Sequence, residues 1–251
     1  MFLTCLTAAL AASPAPAFTH QGRPIHPQCV TALTGGEPHP EPIQLSTCGK
    51  TKEPVEHKAE DFSWTSKEPG GLRPEFASYR VLGQQGGEWV LSWEWGGGGT
   101  GIFSGVSLFH LERGALRLVR TVATGDRCNG GLSNSKLEKN VLQYSRSATP
   151  SDVLRSVPEG ASLDSINGEK LESSALSCFA TLDYAGGVLL GAELEDPGSD
   201  REGWTDRFPS QACYNALQRE FLAKGQTHLD AYGLSKFALA FAQRCLHRDA
   251  N

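Results

Sequence analysis

No stretch of about 18 consecutive apolar residues occurs in the chain, so no segment has the length of a membrane-crossing helix. Basic residues are not in excess either. There are 23 Lys and Arg against 28 Asp and Glu, a formal net charge of -5, whereas a nucleic-acid-binding domain usually carries a basic face. CxxC, CxxH and HxxxH are all missing, which removes the ordinary spacings of a structural metal site. HExxH, the GxSxG elbow and the GxxxxGK[ST] loop are missing too, which takes away the usual signatures of zinc proteases, serine hydrolases and phosphate-binding loops. Apolar residues make up only 39% of the 251 positions, while Gly and Pro number 28 and 14. That is a loop-rich chain with enough length for one good core.

What is present begins with a short apolar stretch. Phe2 to Ala12 is followed by Ala15-Pro16-Ala17, a small-x-small cleavage pattern that reads as a secretory leader over residues 1–17, although its first residues carry no Lys or Arg. Six of the seven cysteines lie beyond it: Cys29, Cys48, Cys128, Cys178, Cys213 and Cys245. An even number in an exported chain reads as a disulfide framework, which six cysteines can complete in 15 ways. Cys29 and Cys48 flank a proline-rich segment with little else to fold it, so a local loop is the economical pairing. Cys213 and Cys245 sit on two helical stretches that an antiparallel turn brings to the same end. Cys128 and Cys178 are then left for each other.

The chain divides further into three stretches. Residues 18–61 are rich in Pro and His, with Pro38, Pro40 and Pro42 alternating and His20, His26, His39 and His57 spread along it. The spacing of the histidines fits no ordinary metal site, and the stretch reads as an irregular arm without a helix, laid on the main domain.

Residues 62–205 carry a β signal. Trp89, Leu91, Trp93 and Trp95 alternate with Val90, Ser92 and Glu94, a strict period of two. Val106–Leu111 and Leu116–Val122 flank a tight turn at Glu112-Arg113-Gly114, a second hairpin turns at Ala185-Gly186-Gly187, and Val141–Tyr144 is a further strand. One short helix is announced by Thr149-Pro150-Ser151-Asp152, a capping box with Pro at the first helical position. In residues 206–251 the period becomes helical. Cys213, Leu217 and Phe221 step by four, Gly225 closes the first helix, and Leu234, Phe237, Ala238, Phe241, Ala242 and Cys245 form one face of a second. The expected fold is α+β, mainly an antiparallel sheet or barrel-like domain, with a C-terminal disulfide-linked helical hairpin packed on it.

Two segments stand out for recognition. Trp93-Glu94-Trp95 runs into the glycine stretch Gly96–Gly101, and the tryptophans could either stack on a ligand beside a flexible loop or fill the sheet core. Gly125-Asp126-Arg127-Cys128-Asn129-Gly130-Gly131 is a shaped loop anchored by a cysteine. The candidate binding residues are therefore Trp93, Glu94, Trp95, Gly98, Thr100, Asp126, Arg127 and Asn129. Glu88 and Glu94 lie six apart on one strand, roughly 20 Å of backbone, too far for either glycosidase geometry. Asp196, Asp200 and Glu202 fail the spacing of a calcium loop and read as a solvated linker.

No cofactor is implied. The reading that results is an exported, periplasmic or extracellular, non-catalytic binding protein such as an inhibitor or immunity protein. Its expected partner is another protein or an envelope polymer, with no nucleic acid and no transmembrane span in the mature chain. The alternative is an exported hydrolase using Glu94, His110 and Asp126.

Overall fold

The computed structural model describes residues 17–35, 40–51, 53–161, 171–196 and 208–246. Of the expected leader only Ala17 falls among them. His39, Asp200 and Glu202 lie outside the described residues.

Seven antiparallel strands form the larger sheet, in the order β3 (Ile43–Gln44), β9 (Ala115–Asp126), β8 (Phe103–Glu112), β7 (Glu88–Gly97), β6 (Pro74–Gln85), β5 (Asp61–Pro69) and β4 (Glu56–Lys58). The sheet curls into a half-barrel. The alternation around Trp89 is real, but both faces of β7 are covered. Trp89, Leu91 and Trp93 pack into one core, and Val90 into a second with Val106 and Leu108. On the first face His57, Phe62, Tyr79 and Trp93 stand in register across four neighbouring strands. Phe62 stacks on His57 at 4.3 Å and on Tyr79 at 4.8 Å, the cross-strand contact that stabilises a sheet beyond area burial.

The arm differs from its expected form. Residues 19–24 make a small hairpin, β1 (Thr19–His20) with β2 (Arg23–Pro24), and a five-residue helix α1 (Pro27–Thr31) follows with Pro27 at its first turn. Phe18, Ile25, Val30 and Leu33 are buried in the first core, and the buried Tyr79 hydroxyl donates to the Ile25 carbonyl at 2.8 Å. Four apolar residues spread through a proline-rich segment escape a search for periodicity, yet together they roof the sheet.

Five antiparallel strands form the second sheet, in the order β10 (Leu132–Glu138), β11 (Val141–Ala148), β12 (Ala180–Ala185), β13 (Val188–Leu194) and β14 (His228–Asp230). Leu142 and Tyr144 at one end pack against Val90, Val106 and Leu108 of the larger sheet. Ala148, Ala180, Leu182 and Leu194 at the other end pack against the C-terminal helices. The hairpin turns Gly86-Gly87, Arg113-Gly114, Lys139-Asn140 and Gly186-Gly187 all have positive φ at both residues, the conformation that matches the twist of the flanking strands.

Thr149 and Asp152 exchange their capping hydrogen bonds at the start of α2 (Pro150–Arg155), and a single turn, α3 (Pro158–Ala161), follows. Helix α4 (Pro209–Ala223) ends where Gly225, at φ +74, lets the Gly225 and Gln226 amides bond back to Leu222 and Phe221. Helix α5 (Ala231–Cys245) starts on the Asp230 carboxylate, which accepts from the Gly233 amide at 2.7 Å. The link between these helices is more than the plain turn that a helical hairpin implies, because it carries β14, which pairs with β13 at Gly191–Glu193. Disulfides join Cys29 to Cys48, Cys128 to Cys178 and Cys213 to Cys245, the pairing expected from the spacing. Among the described residues no helix is long and apolar enough to cross a membrane.

Candidate functional site

On the face of the larger sheet turned away from the arm, Ser63, Ser78, Glu94 and Ser104 stand side by side on β5 to β8. The next row is Asp61, Arg80, Ser92 and Val106. Beyond Val106 this face is apolar and covered by the second sheet, but along these rows it is open. The start of β10, from Leu132 to Ser135, forms the opposite wall of a groove of about 330 Å³. The Leu132 amide ties this wall to the row by donating to the Ser104 hydroxyl at 2.8 Å.

The charges in this groove are unequal. Arg80 clasps Asp61 with two bonds, at 2.6 and 2.9 Å, so that pair is neutral toward a ligand. Glu94 has neither a hydrogen bond nor an ion pair among the described residues. Its side chain reaches solvent, yet partial desolvation between the flanking strands raises its carboxyl above the ordinary value. An uncompensated acid among hydroxyls favours a ligand that brings a cation or a hydrogen-bond donor.

The two loops singled out in the sequence come together at the end of the same strands. The Ile102 amide donates to Asp126 Oδ1 at 3.0 Å, and the Ile102 carbonyl accepts from the Arg127 amide at 3.2 Å. Desolvation opposes ionisation of Asp126, but the Arg127 side chain, at 2.9 and 3.2 Å, and the Ile102 amide outweigh it and hold the carboxyl below its usual range. Asn129 is exposed and its backbone bonds reciprocally with Asp126. Residues 126–131 form the corner where the chain leaves the larger sheet for the second, and Cys128–Cys178 fastens it. Gly125 is required there, because a Cβ would lie 2.2 Å from the Asn129 carbonyl oxygen.

The remaining candidates take different places. Trp93 is 3% exposed, with its Nε1 donating to the buried Ser107 hydroxyl at 2.9 Å, so its ring belongs to the core. Trp95 is half-buried and stacks on Phe103 at 4.8 Å, with its Nε1 lacking any hydrogen-bond partner among the described residues. Gly98 is buried and its carbonyl accepts from the Arg73 amide, while Thr100 is exposed at the loop tip. Glu94 therefore opens on one face, beside the buried Ser104, and Trp95, Phe103 and Asp126 share register on the other. The candidate surface wraps around the end of β7 to β9.

The residues offered for hydrolysis do not converge. Asp126 lies across the sheet from Glu94 and is spent on Ile102 and Arg127. His110 is six residues along β8 from Ser104, roughly 20 Å of strand, and sits near Glu112 at 3.6 Å. Among the described residues no group of three His, Cys, Asp or Glu side chains is placed to hold a metal ion.

Sequence reasoning misses Ser63, Ser78, Ser92, Arg80 and Asn134, since single serines between aromatic residues signal nothing until register aligns them. The one available clue is the repeated small polar residue on the solvent-side phase of β5, β6 and β7. Comparison with known proteins finds no matching family model, no matching curated protein and no matching solved structure.

Proposed function

We infer that this chain is an exported, non-catalytic binding protein that recognises another macromolecule, a protein or an envelope polymer, through the groove at Glu94 and the adjoining rim of Thr100, Asp126 and Asn129. Its three disulfides fit folding in an oxidising compartment, outside the cytoplasm, and we assign it to the periplasm or the extracellular space. The observation that carries the reading is Glu94. A carboxylate without a partner among the described residues, raised in pKa and set on the floor of an open hydroxyl-lined groove, contributes nothing to the fold that a neutral residue would not. Its use lies in a contact made by a ligand. The neighbouring rim is held stiff by the Asp126–Ile102 bond and the Cys128–Cys178 bridge, so little ordering entropy is lost on binding. An inhibitor or immunity protein is the kind of molecule this arrangement suits.

The test is affinity capture by the oxidised chain from periplasmic and extracellular fractions, followed by titration calorimetry with the captured partner. Glu94→Gln should weaken binding at least tenfold, the scale of a charge-assisted hydrogen bond (about 1.5–3 kcal/mol). An unchanged affinity in a Glu94→Ala, Thr100→Ala double variant would remove this surface from consideration.

A further inference from the structure

A second cleft, of about 740 Å³, lies within the arm between the β1–β2 hairpin and the residues Leu45 to Lys50 with Val55. Its back wall is apolar and includes Ile25, 2% exposed, Leu45 and Val55, with the Cys29–Cys48 bridge closing it. All four ionisable side chains lining it, His20, Arg23, His26 and Lys50, are of basic type, and no carboxylate lines it among the described residues. His26 serves the fold: its Nδ1 accepts the Gln28 amide at 3.3 Å, its Nε2 bonds Thr51 at 3.1 Å, and burial lowers its pKa. The positive charge therefore comes from Arg23 and Lys50. Neither side chain has an ion pair or a hydrogen bond among the described residues, although the chain as a whole is acidic, at -5.

Unpaired cations around a cleft of ligand size with an apolar back wall make a local field opposite in sign to the protein's net charge. The Glu94 groove cannot supply this site: it opens on the other face of the larger sheet and its uncompensated charge is negative. We propose that the arm cleft binds a small organic oxyanion, with a phosphate or sulfate head held by Arg23 and Lys50 and an apolar body against Ile25, Leu45 and Val55. Arginine and lysine both serve such heads, the guanidinium through paired donors and the ammonium as a point charge. This assignment is independent of the function proposed for the groove.

Phenyl phosphate and phenyl sulfate are suitable probes, with phenol and inorganic phosphate as comparators that each lack half of the ligand. The oxidised full chain is titrated and followed by calorimetry and by the imidazole proton signals of His20. The expected result is millimolar or tighter binding of one or both esters, weakening as NaCl is raised, with a shift at His20 and at least fivefold weaker binding of either comparator. Preference for one ester identifies the head group. Arg23→Gln with Lys50→Gln should lower the affinity at least tenfold and Glu94→Gln should leave it unchanged; both replaced cations are exposed, and Lys50→Gln alone serves if the pair perturbs folding. The proposal is overturned if neither ester binds, if phenol binds as tightly, or if the charge variants bind as the parent does.

Discussion

Ser104 Oγ accepts the Leu132 amide hydrogen at 2.8 Å, across the gap between the two sheets. Ser104 is 8% exposed, and Leu132 is the first residue of β10 after the corner loop. This bond therefore ties the start of the β10 wall to the Glu94 row, beside the packing of Leu132 and Leu137 against Val90, Val106 and Leu108. Ser104→Ala leaves the Leu132 amide without its acceptor. The expected loss is about 1–3 kcal/mol, the cost of an unsatisfied donor, seen as a lower urea midpoint with an unchanged slope. A variant as stable as the parent would show that water replaces the hydroxyl without penalty.

Next to it, Gly105 is fixed by crowding. A Cβ there would lie 2.4 Å from the Ala123 carbonyl oxygen and 2.5 Å from the Trp93 ring. Neither neighbour can retreat, since Ala123 belongs to the adjacent strand and Trp93 is bonded to Ser107. Gly105→Ala is expected to destabilise by roughly 1–3 kcal/mol or more through overpacking, while Gly99→Ala, with open space at its Cβ, should change little. Paired thermal melts of the two variants decide the matter, and equal melting temperatures would contradict it.

These two residues show where the sequence is legible and where it is not. The strands of the hairpins, the Thr149 cap, the Gly225 stop and the cysteine pairing all rest on local chemistry or on simple geometry, and the structure agrees with each. Register is a non-local property. Ser63, Ser78, Glu94 and Ser104 are separated by 10 to 16 positions and become one row only when four strands align. The same holds for the arm, where Phe18, Ile25, Val30 and Leu33 have no period to betray them. The helical step of Cys213, Leu217 and Phe221 reveals α4, yet Gln211, Asn215 and Gln218 on it are also buried. Gln211 and Gln218 hold other segments: Gln211 accepts from the Glu172 amide, and Gln218 donates to the carbonyls of Phe179 and Glu195. Polar residues buried to satisfy chain ends look like a solvent face in a sequence.

The helical core contains one hydroxyl that nothing satisfies among the described residues. Tyr214 is fully buried among Phe179, Phe237 and Phe241, and its hydroxyl has no hydrogen-bond partner there. Burial drives its pKa far upward, so it stays neutral at physiological pH. Tyr214→Phe keeps the ring contacts and removes a buried, unsatisfied hydroxyl, so it should raise stability by about 1 kcal/mol. A clear loss of stability in chemical denaturation would reveal a partner for that hydroxyl.

Cys213 and Cys245 close a separation of 32 residues. Restricting the unfolded chain over that length stabilises by roughly 3–4 kcal/mol in the loop-entropy description. A polar link between α4 and α5, Arg244 with Glu220 at 2.6 Å, is exposed and screened. Replacing both cysteines by serine should therefore lower the melting temperature by roughly 10 °C for a chain of this size, with native strand content retained at low temperature by circular dichroism. A melt shifted by less than about 2 °C would place the stability of the helical pair in its aromatic packing instead.

Glu94→Gln separates function from stability because the two should move in opposite directions. The folded-state pKa of Glu94 is raised above its ordinary value by desolvation. At low pH the carboxyl is protonated in both folded and unfolded chains, and parent and variant are equally stable. As pH rises past the ordinary value near 4.5, the unfolded chain releases its proton more readily than the folded one, and the parent loses stability until the folded pKa is passed. Above that window Glu94→Gln should be the more stable protein, by a margin that no longer changes with pH. Urea midpoints compared at about pH 3 and about pH 7 read this directly. A variant less stable than the parent at neutral pH would mean that Glu94 serves the fold. Greater stability combined with weaker partner binding is the trade expected of a residue kept for recognition.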